Sequence, residues 1–272
     1  MTEGWRRACV EMTRDVNMVV TALFEAGVKH ITVQDFHRTG YNLLPELIDS
    51  RAVVRSGYRR GPVPGIGDPG NAEVAMLLGM HAASGTGGFL PHTLTSRIAR
   101  LEVNERPMAE VELFSASFAP FGIRPVFFQG CPVACSQAKE VIDGIHVYPI
   151  DKTVGLERFD APSWRTGLAR EAVRSLKNVT TVPYAPEGPF KAVITMRDGK
   201  EEARRIAQRW GFRQEGARIF LETQSIHELY KDLVRLCYLT PLVEKILPCA
   251  LLWHRVVGRL GLEVVRRRRE KR

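Results

Sequence analysis

The sequence predicts an α/β fold, a mostly parallel open sheet flanked by helices and followed by a smaller α/β part. Helical and strand-like patterns alternate along the 272 residues, the first strands are short apolar runs of the kind buried on both faces, and Gly/Pro-rich loops follow them. A hydrophobic content of 44% with 25% charged residues excludes a disordered or fibrous chain.

In Asp15 to Ala26, Val16, Val19, Val20, Leu23 and Phe24 share one helical face; Thr13 is placed to cap this helix and Gly27 to end it. His30 to Gln34 reads as a strand running into Asp35-Phe36-His37, and Glu73 to Gly79 as a buried strand running into Met80-His81. Residues 60 to 70 and Ser84 to Pro91 are too rich in Gly and Pro for regular structure, so both are loops; the second separates His81 from His92. Arg97 to Val103 is a strand, and Pro107 starts a helix with Glu110 in its first turn. Arg124 to Gln129, His146 to Ile150, Ala192 to Met196 and Ile219 to Glu222 read as strands; Ser136 to Ile142, Trp164 to Leu176 and Glu201 to Trp210 read as helices. Pro183 to Pro189 marks a boundary, giving domains at 1–183 and 184–240 and a basic extension at 241–272.

Of the net charge of +9, +6 lies between Arg255 and Arg272, where eight basic residues face Glu263 and Glu270. Such a run reads as a solvated tail, which argues against a specific nucleic-acid surface; Leu251, Leu252, Trp253, Val256 and Val257 beside the arginines leave an anionic membrane surface as a lesser alternative. The five cysteines lack the spacing of a disulfide framework, and Cys131 and Cys135 read as small buried apolar side chains. A charged amino-terminal stretch without an apolar core predicts a cytoplasmic protein, and the apolar run Ile246 to Trp253 is too short to span a bilayer.

Ligands of open α/β sheets gather beyond the carboxyl ends of strands, where His37 and His81 stand, with Glu110 soon after another strand end. Two imidazoles and a carboxylate suit a catalytic zinc with an open position for water, and Asp35 is placed to orient His37. By residue type and spacing alone, hydrogen-bonded structural histidines fit better than a metal site, because 44 residues separate His37 from His81 and no compact motif ties them.

Several segments bear on that choice. Met12-Thr13 with Asn17, Val33-Gln-Asp-Phe-His37, Leu78-Gly-Met-His81-Ala, Pro91-His92-Thr, Val103-Asn-Glu-Arg-Pro107-Met-Ala-Glu110 and Pro125-Val126 follow one another, with Lys152 and Arg158 further on. In order and spacing, from about Trp5 to Leu239, they resemble the bacterial zinc D-aminopeptidase family of self-compartmentalising peptidases. The resemblance implies that His37, His81 and Glu110 are zinc ligands, that Asp35 and Asn104 support them, and that His92 is catalytic, in proton transfer or as a nucleophile. It further implies two zinc ions per subunit, short peptide substrates with an N-terminal D-amino acid such as D-alanine, and a ring-shaped homo-oligomer, a decamer of two stacked pentamers.

Two departures stand against it. The family begins with a strand bearing Asp-x-Glu-Gly, whose acidic groups bind and bridge the metals, and nothing equivalent precedes Trp5; Thr2-Glu3-Gly4 is a coincidental echo. Either the true start lies upstream, which the vacancy left in a parallel sheet favours, or the protein has shed paired-metal chemistry and serves as an oligomeric scaffold or ligand binder. Gly130-Cys131-Pro132 also replaces the acidic residues usual after the strand glycine.

Overall fold

The computed structural model describes residues 3–155, 158–177 and 179–269; Thr2 of the amino-terminal echo and Glu270, Lys271 and Arg272 of the basic run lie outside them. The chain forms two compact units, the first from residues 1–68, 160–177 and 246–272, the second from 69–159 and 178–245. Pro183 to Pro189 runs inside the second unit.

In the first unit, α1 (Glu3–Glu25) buries Val16, Val19, Val20, Leu23 and Phe24, the face that the periodicity predicts. It ends at Gly27, whose φ of 96° lets the Val28 amide turn back to the Leu23 carbonyl. The helix starts well before Thr13, which is therefore not its cap. Buried within the helix, the Thr13 hydroxyl donates to the Cys9 carbonyl at 2.7 Å and accepts the Leu44 amide at 3.0 Å, so it ties the next loop to the helix. Packed against α1 is α4 (Ala161–Lys177), where Arg165 reaches both Asp15 and Glu11. Strand β1 (Thr32–Asp35) pairs in parallel with β2 (Val53–Ser56), a strand that its single polar-flanked Val pair does not announce in the sequence.

The carboxyl-terminal segment is a helix. α8 (Leu247–Arg269) packs Leu262 and Val265 with Tyr41 and Leu44, against which Trp5, Val10 and Leu47 also lie. The solvated tail read from the charge run is thus corrected over these residues: apolar side chains on the inward face of the helix supply burial that a run of arginines alone lacks.

The second unit holds two sheets. β3 (Val74–Met80), β6 (Arg124–Gly130) and β7 (His146–Pro149) are parallel with β6 central; Val126, Phe127 and Phe128 on both its faces are almost wholly inaccessible. β6 thus has the two-sided burial expected of a parallel sheet, whereas the expectation of a buried β3 is corrected: only Leu77 of that strand is buried. α2 (Glu110–Phe118) and α3 (Pro132–Val141) pack on it.

The other sheet is antiparallel: β5 (Arg106–Pro107), β4 (Ile98–Val103), β8 (Phe190–Met196), β10 (Arg218–Thr223) and β9 (Arg213–Glu215), in that order. It joins β4 to strands some ninety residues downstream, across the boundary that Pro183 to Pro189 suggests. Pro107 belongs to the edge strand β5 and does not start the helix, which begins at Glu110; an edge position spares proline the missing amide. α5 (Gly199–Trp210) and α6 (Ile226–Tyr238) cover the sheet, and α7 (Pro241–Lys245) follows. No helix among the described residues is long and apolar enough to cross a membrane.

Candidate active site

Beyond the carboxyl end of β3 the chain makes a tightly held excursion. Gly79 is left-handed at φ 74°, the register with β6 shifts between Leu77 and Met80, and the Gly79 amide donates to the buried Gln129 carboxamide at 2.8 Å. This irregularity re-aims the strand end that carries His81. Ala82 and Ala83 are buried, and Gly88 packs so close that a Cβ there would lie 2.5 Å from the Ala82 methyl carbon.

Two buried hydroxyls close the loop reciprocally. The Thr93 amide donates to Ser84 Oγ at 2.8 Å, the Ser84 amide to Thr93 Oγ1 at 3.2 Å, and the Thr93 hydroxyl to the Met108 carbonyl at 2.8 Å. The His92 amide also meets the Ala82 carbonyl at 3.1 Å. These bonds set the His92 ring beside His81, with centroids 4.3 Å apart.

Both imidazoles face carbonyls through Nδ1: His81 toward Phe89 at 3.3 Å and His92 toward Leu90 at 2.8 Å. A carbonyl only accepts, so each bond assigns the ring proton to Nδ1 and makes Nε2 the acceptor atom of the neutral ring. Leu90 and Leu94, on either side of His92, take left-handed φ values of 46° and 64°. That conformation is costly for leucine and is held by the surrounding bonds: the Leu90 carbonyl is aimed at His92, and the Leu94 amide donates to Glu110 Oε1 at 3.0 Å.

Glu110 opens α2 and is half-buried. Withdrawal of its carboxyl from water pushes it above the ordinary carboxylate range, while the nearby His92 and the Leu94 amide pull the other way. His81, His92 and Glu110 thus gather in one corner of the second unit. Phe89 also lies under Lys152, whose Nζ is 5.0 Å from the ring centroid, so a cation the sequence marks only by resemblance approaches the same loop.

The other predicted residues are described within their own units. His37 is exposed on the loop after β1, in the first unit. Asp35 is buried; its Oδ2 accepts the Asn42 and Leu43 amides at 2.6 and 2.8 Å, and the Asn42 side chain bridges Asp35 Oδ1 and the His37 carbonyl. Asn104, left-handed in the β4–β5 turn, donates to the Pro189 carbonyl at 3.1 Å and accepts the Lys191 amide at 2.9 Å, a link to the start of β8. Cys131 and Cys135 are buried free thiols, as their spacing suggests.

A zinc ion needs at least three protein ligands in close array. Among the described residues no three histidine, cysteine, aspartate or glutamate side chains are grouped to hold a metal ion. The described residues therefore do not by themselves fit a complete metal centre, and His81 and Glu110 remain ligands only by resemblance. A cleft of about 370 Å³ bordered by Glu73, Phe121 and Arg124 lies at the opposite end of β3 from His81 and has no part in this cluster.

The D-aminopeptidase of Bacillus subtilis (strain 168) is 24% identical over 153 residues, which are 56% of this chain and 55% of that relative. The chain thus matches about half the length of its curated relative. The solved zinc-dependent D-aminopeptidase from Bacillus subtilis, described as a self-compartmentalizing protease, superposes with a TM-score of 0.77 over 86% of this chain and 88% of its own, at 18% identity; the likeness is one of fold. The family model for D-aminopeptidases matches residues 1–234, most of the chain and every candidate site residue, and the chain accordingly belongs to the D-aminopeptidase family.

Proposed function

We propose that this protein is an aminopeptidase acting on short peptides with an N-terminal D-residue of D-alanine size, with His92 as the proton-transfer group. The observation that carries the reading is the pairing of His92 with His81 beside Glu110, each ring fixed through Nδ1. His92 Nε2 accepts a proton as water oxygen bonds to the peptide carbonyl carbon, then returns it to the departing amine as the C–N bond breaks. A single imidazole serves both steps because its Nε2 can accept a proton and give it back. Glu110 lies next to His92, whose charge draws its carboxyl back toward the ionised form against the cost of burial.

Zinc belongs to this reading through the solved relative, which is zinc-dependent; His81 and Glu110 in the second unit, and His37 in the first, are the residues we would assign as ligands, each within its own unit. Because the described residues do not complete a metal centre, the reaction is written through protein groups alone. Homo-oligomerisation, as a decamer in the fullest form, is likewise proposed from the self-compartmentalizing relative.

The same incomplete donor set favours a second reading, a catalytically impaired member that binds a peptide without cleaving it. The two separate in one experiment. The purified full chain is supplied with zinc, its metal content is measured by mass spectrometry, and release of free amine from D-Ala-D-Ala and L-Ala-L-Ala is followed. Hydrolysis of the D-dipeptide that His92→Ala abolishes at unchanged metal content supports the peptidase; less than one zinc per chain with neither dipeptide cleaved overturns it in favour of the impaired form.

A further inference from the structure

α8 is apolar on two opposite faces. His254, Gly258, Leu262 and Val265 turn inward: His254 lies between the rings of Tyr41 and Tyr58 at centroid distances of 5.7 and 5.3 Å, Gly258 abuts Tyr41, and Leu262 and Val265 are buried. Cys249, Trp253, Val256, Leu260 and Val264 recur three or four residues apart on the other side, with Leu252 and Val257 on its margins. That outer face is wet: Trp253 is 71% exposed, Leu260 63% and Leu252 60%. A contiguous stripe of this size on a charged chain marks a docking surface, whereas scattered exposed leucines would not.

Charge identifies the occupant. Arg255 and Arg259 are exposed along one flank of the stripe, and the sequence continues into Arg266, Arg267, Arg268 and Arg269, with Glu263 the single acidic residue of the helix. A second copy of this helix would bring arginines against arginines. A nucleic-acid backbone would satisfy the arginines and leave Trp253 and Leu260 in water. An acidic bilayer satisfies both, since its headgroup layer pairs with guanidinium while its acyl boundary receives indole and aliphatic side chains. We propose that the outer face of α8 docks this protein on anionic lipid surfaces, with Trp253 and Leu260 inserted and Arg255 and Arg259 held at the phosphates. The attachment is peripheral, because the inner face stays packed on Tyr41.

The test uses the full chain with vesicles of phosphatidylcholine alone and of phosphatidylcholine with phosphatidylglycerol, read by co-sedimentation. Binding should require phosphatidylglycerol and weaken as salt rises. It should fall about tenfold or more in Trp253→Glu/Leu260→Glu and in Arg255→Glu/Arg259→Glu. Both pairs are exposed, so unchanged circular dichroism and melting temperature would show that the inner packing survives. Equal binding to neutral and acidic vesicles, binding to neither, or variants that sediment like the parent would overturn the proposal. So would a reversible dimer in sedimentation velocity that Trp253→Glu/Leu260→Glu dissolves, which would assign the face to a second copy.

Discussion

The ring of Tyr41 occupies the space that a side chain at Gly258 would need: a Cβ there would lie 2.1 Å from ring Cδ2 and 2.2 Å from Cε2. The ring cannot swing aside, because it is buried with Leu44, Leu262 and Val265 and is flanked by His254. Gly258→Ala should therefore destabilise the first unit. The gain of about 1 kcal/mol in helix propensity is outweighed by overpacking of about 1–3 kcal/mol. Urea denaturation should show a net loss, and a more stable variant would mean that α8 does not press on Tyr41.

Ser84 and Thr93 exchange two hydrogen bonds at the base of the loop that carries His92. Ser84→Ala leaves the buried Thr93 amide without its acceptor, a cost of about 1–3 kcal/mol. In the proposed peptidase the same change should lower kcat more than it raises KM, since it displaces a proton-transfer group and leaves substrate contacts alone. Equal loss in a variant at a site remote from the loop would argue that stability alone is being read.

Much of this architecture was legible in the chain. The face of α1 followed from the spacing of Val16 to Phe24, and the strand ends bearing His37 and His81 followed from short apolar runs. What local patterns could not give was pairing across long separations. β4 reads as a strand, yet its partner β8 lies ninety residues on, so the boundary suggested by Pro183 to Pro189 has no counterpart in the antiparallel sheet. α8 was hidden differently: its arginine run resembles a solvated tail, and its inward face becomes meaningful only with Tyr41, some two hundred residues earlier. The bonds that hold His92 beside His81 involve Ser84, which no motif singles out, and Thr93, which stands in Pro91-His92-Thr without a role that its residue type announces.

Asp35 gathers two backbone amides and the Asn42 carboxamide in a buried pocket. Asp35→Ala strands those donors, and hydrogen bonds to a charged acceptor contribute about 1.5–3 kcal/mol each. A loss of several kcal/mol in urea, with loosening of residues 37–43 in hydrogen exchange, is the expected result. Amide protection equal to that of the parent would show that the loop holds itself.

The cysteines should divide by access. Cys9 and Cys135 are buried, and burial pushes both thiols up to about 11; Cys237 is pushed up to about 12 by the same cause. Cys249 is exposed on the outer face of α8. A brief exposure to iodoacetamide at neutral pH should label Cys249 first, because alkylation needs an accessible thiolate. Peptide mapping that finds Cys9 or Cys135 labelled as fast would contradict the packing of the helices that cover them.

Arg51 holds the Asp49 carboxyl at about 2, well below the ordinary 3.8, through side-chain bonds of 2.9 and 2.6 Å and its backbone amide at 3.0 Å. Asp49 also donates its own amide to Asn17 Oδ1 at 2.7 Å, so the pair fastens the loop before β2 to α1. The sign follows from linkage: a carboxyl depressed by folding stabilises the native state fully above its unfolded value, and that contribution fades as pH falls toward the folded one. Asp49→Asn should thus melt below the parent at pH 6, and the difference should narrow between about pH 4 and pH 2. A melting difference that is constant across that window would mean that Asp49 is held by its geometry and not by its charge.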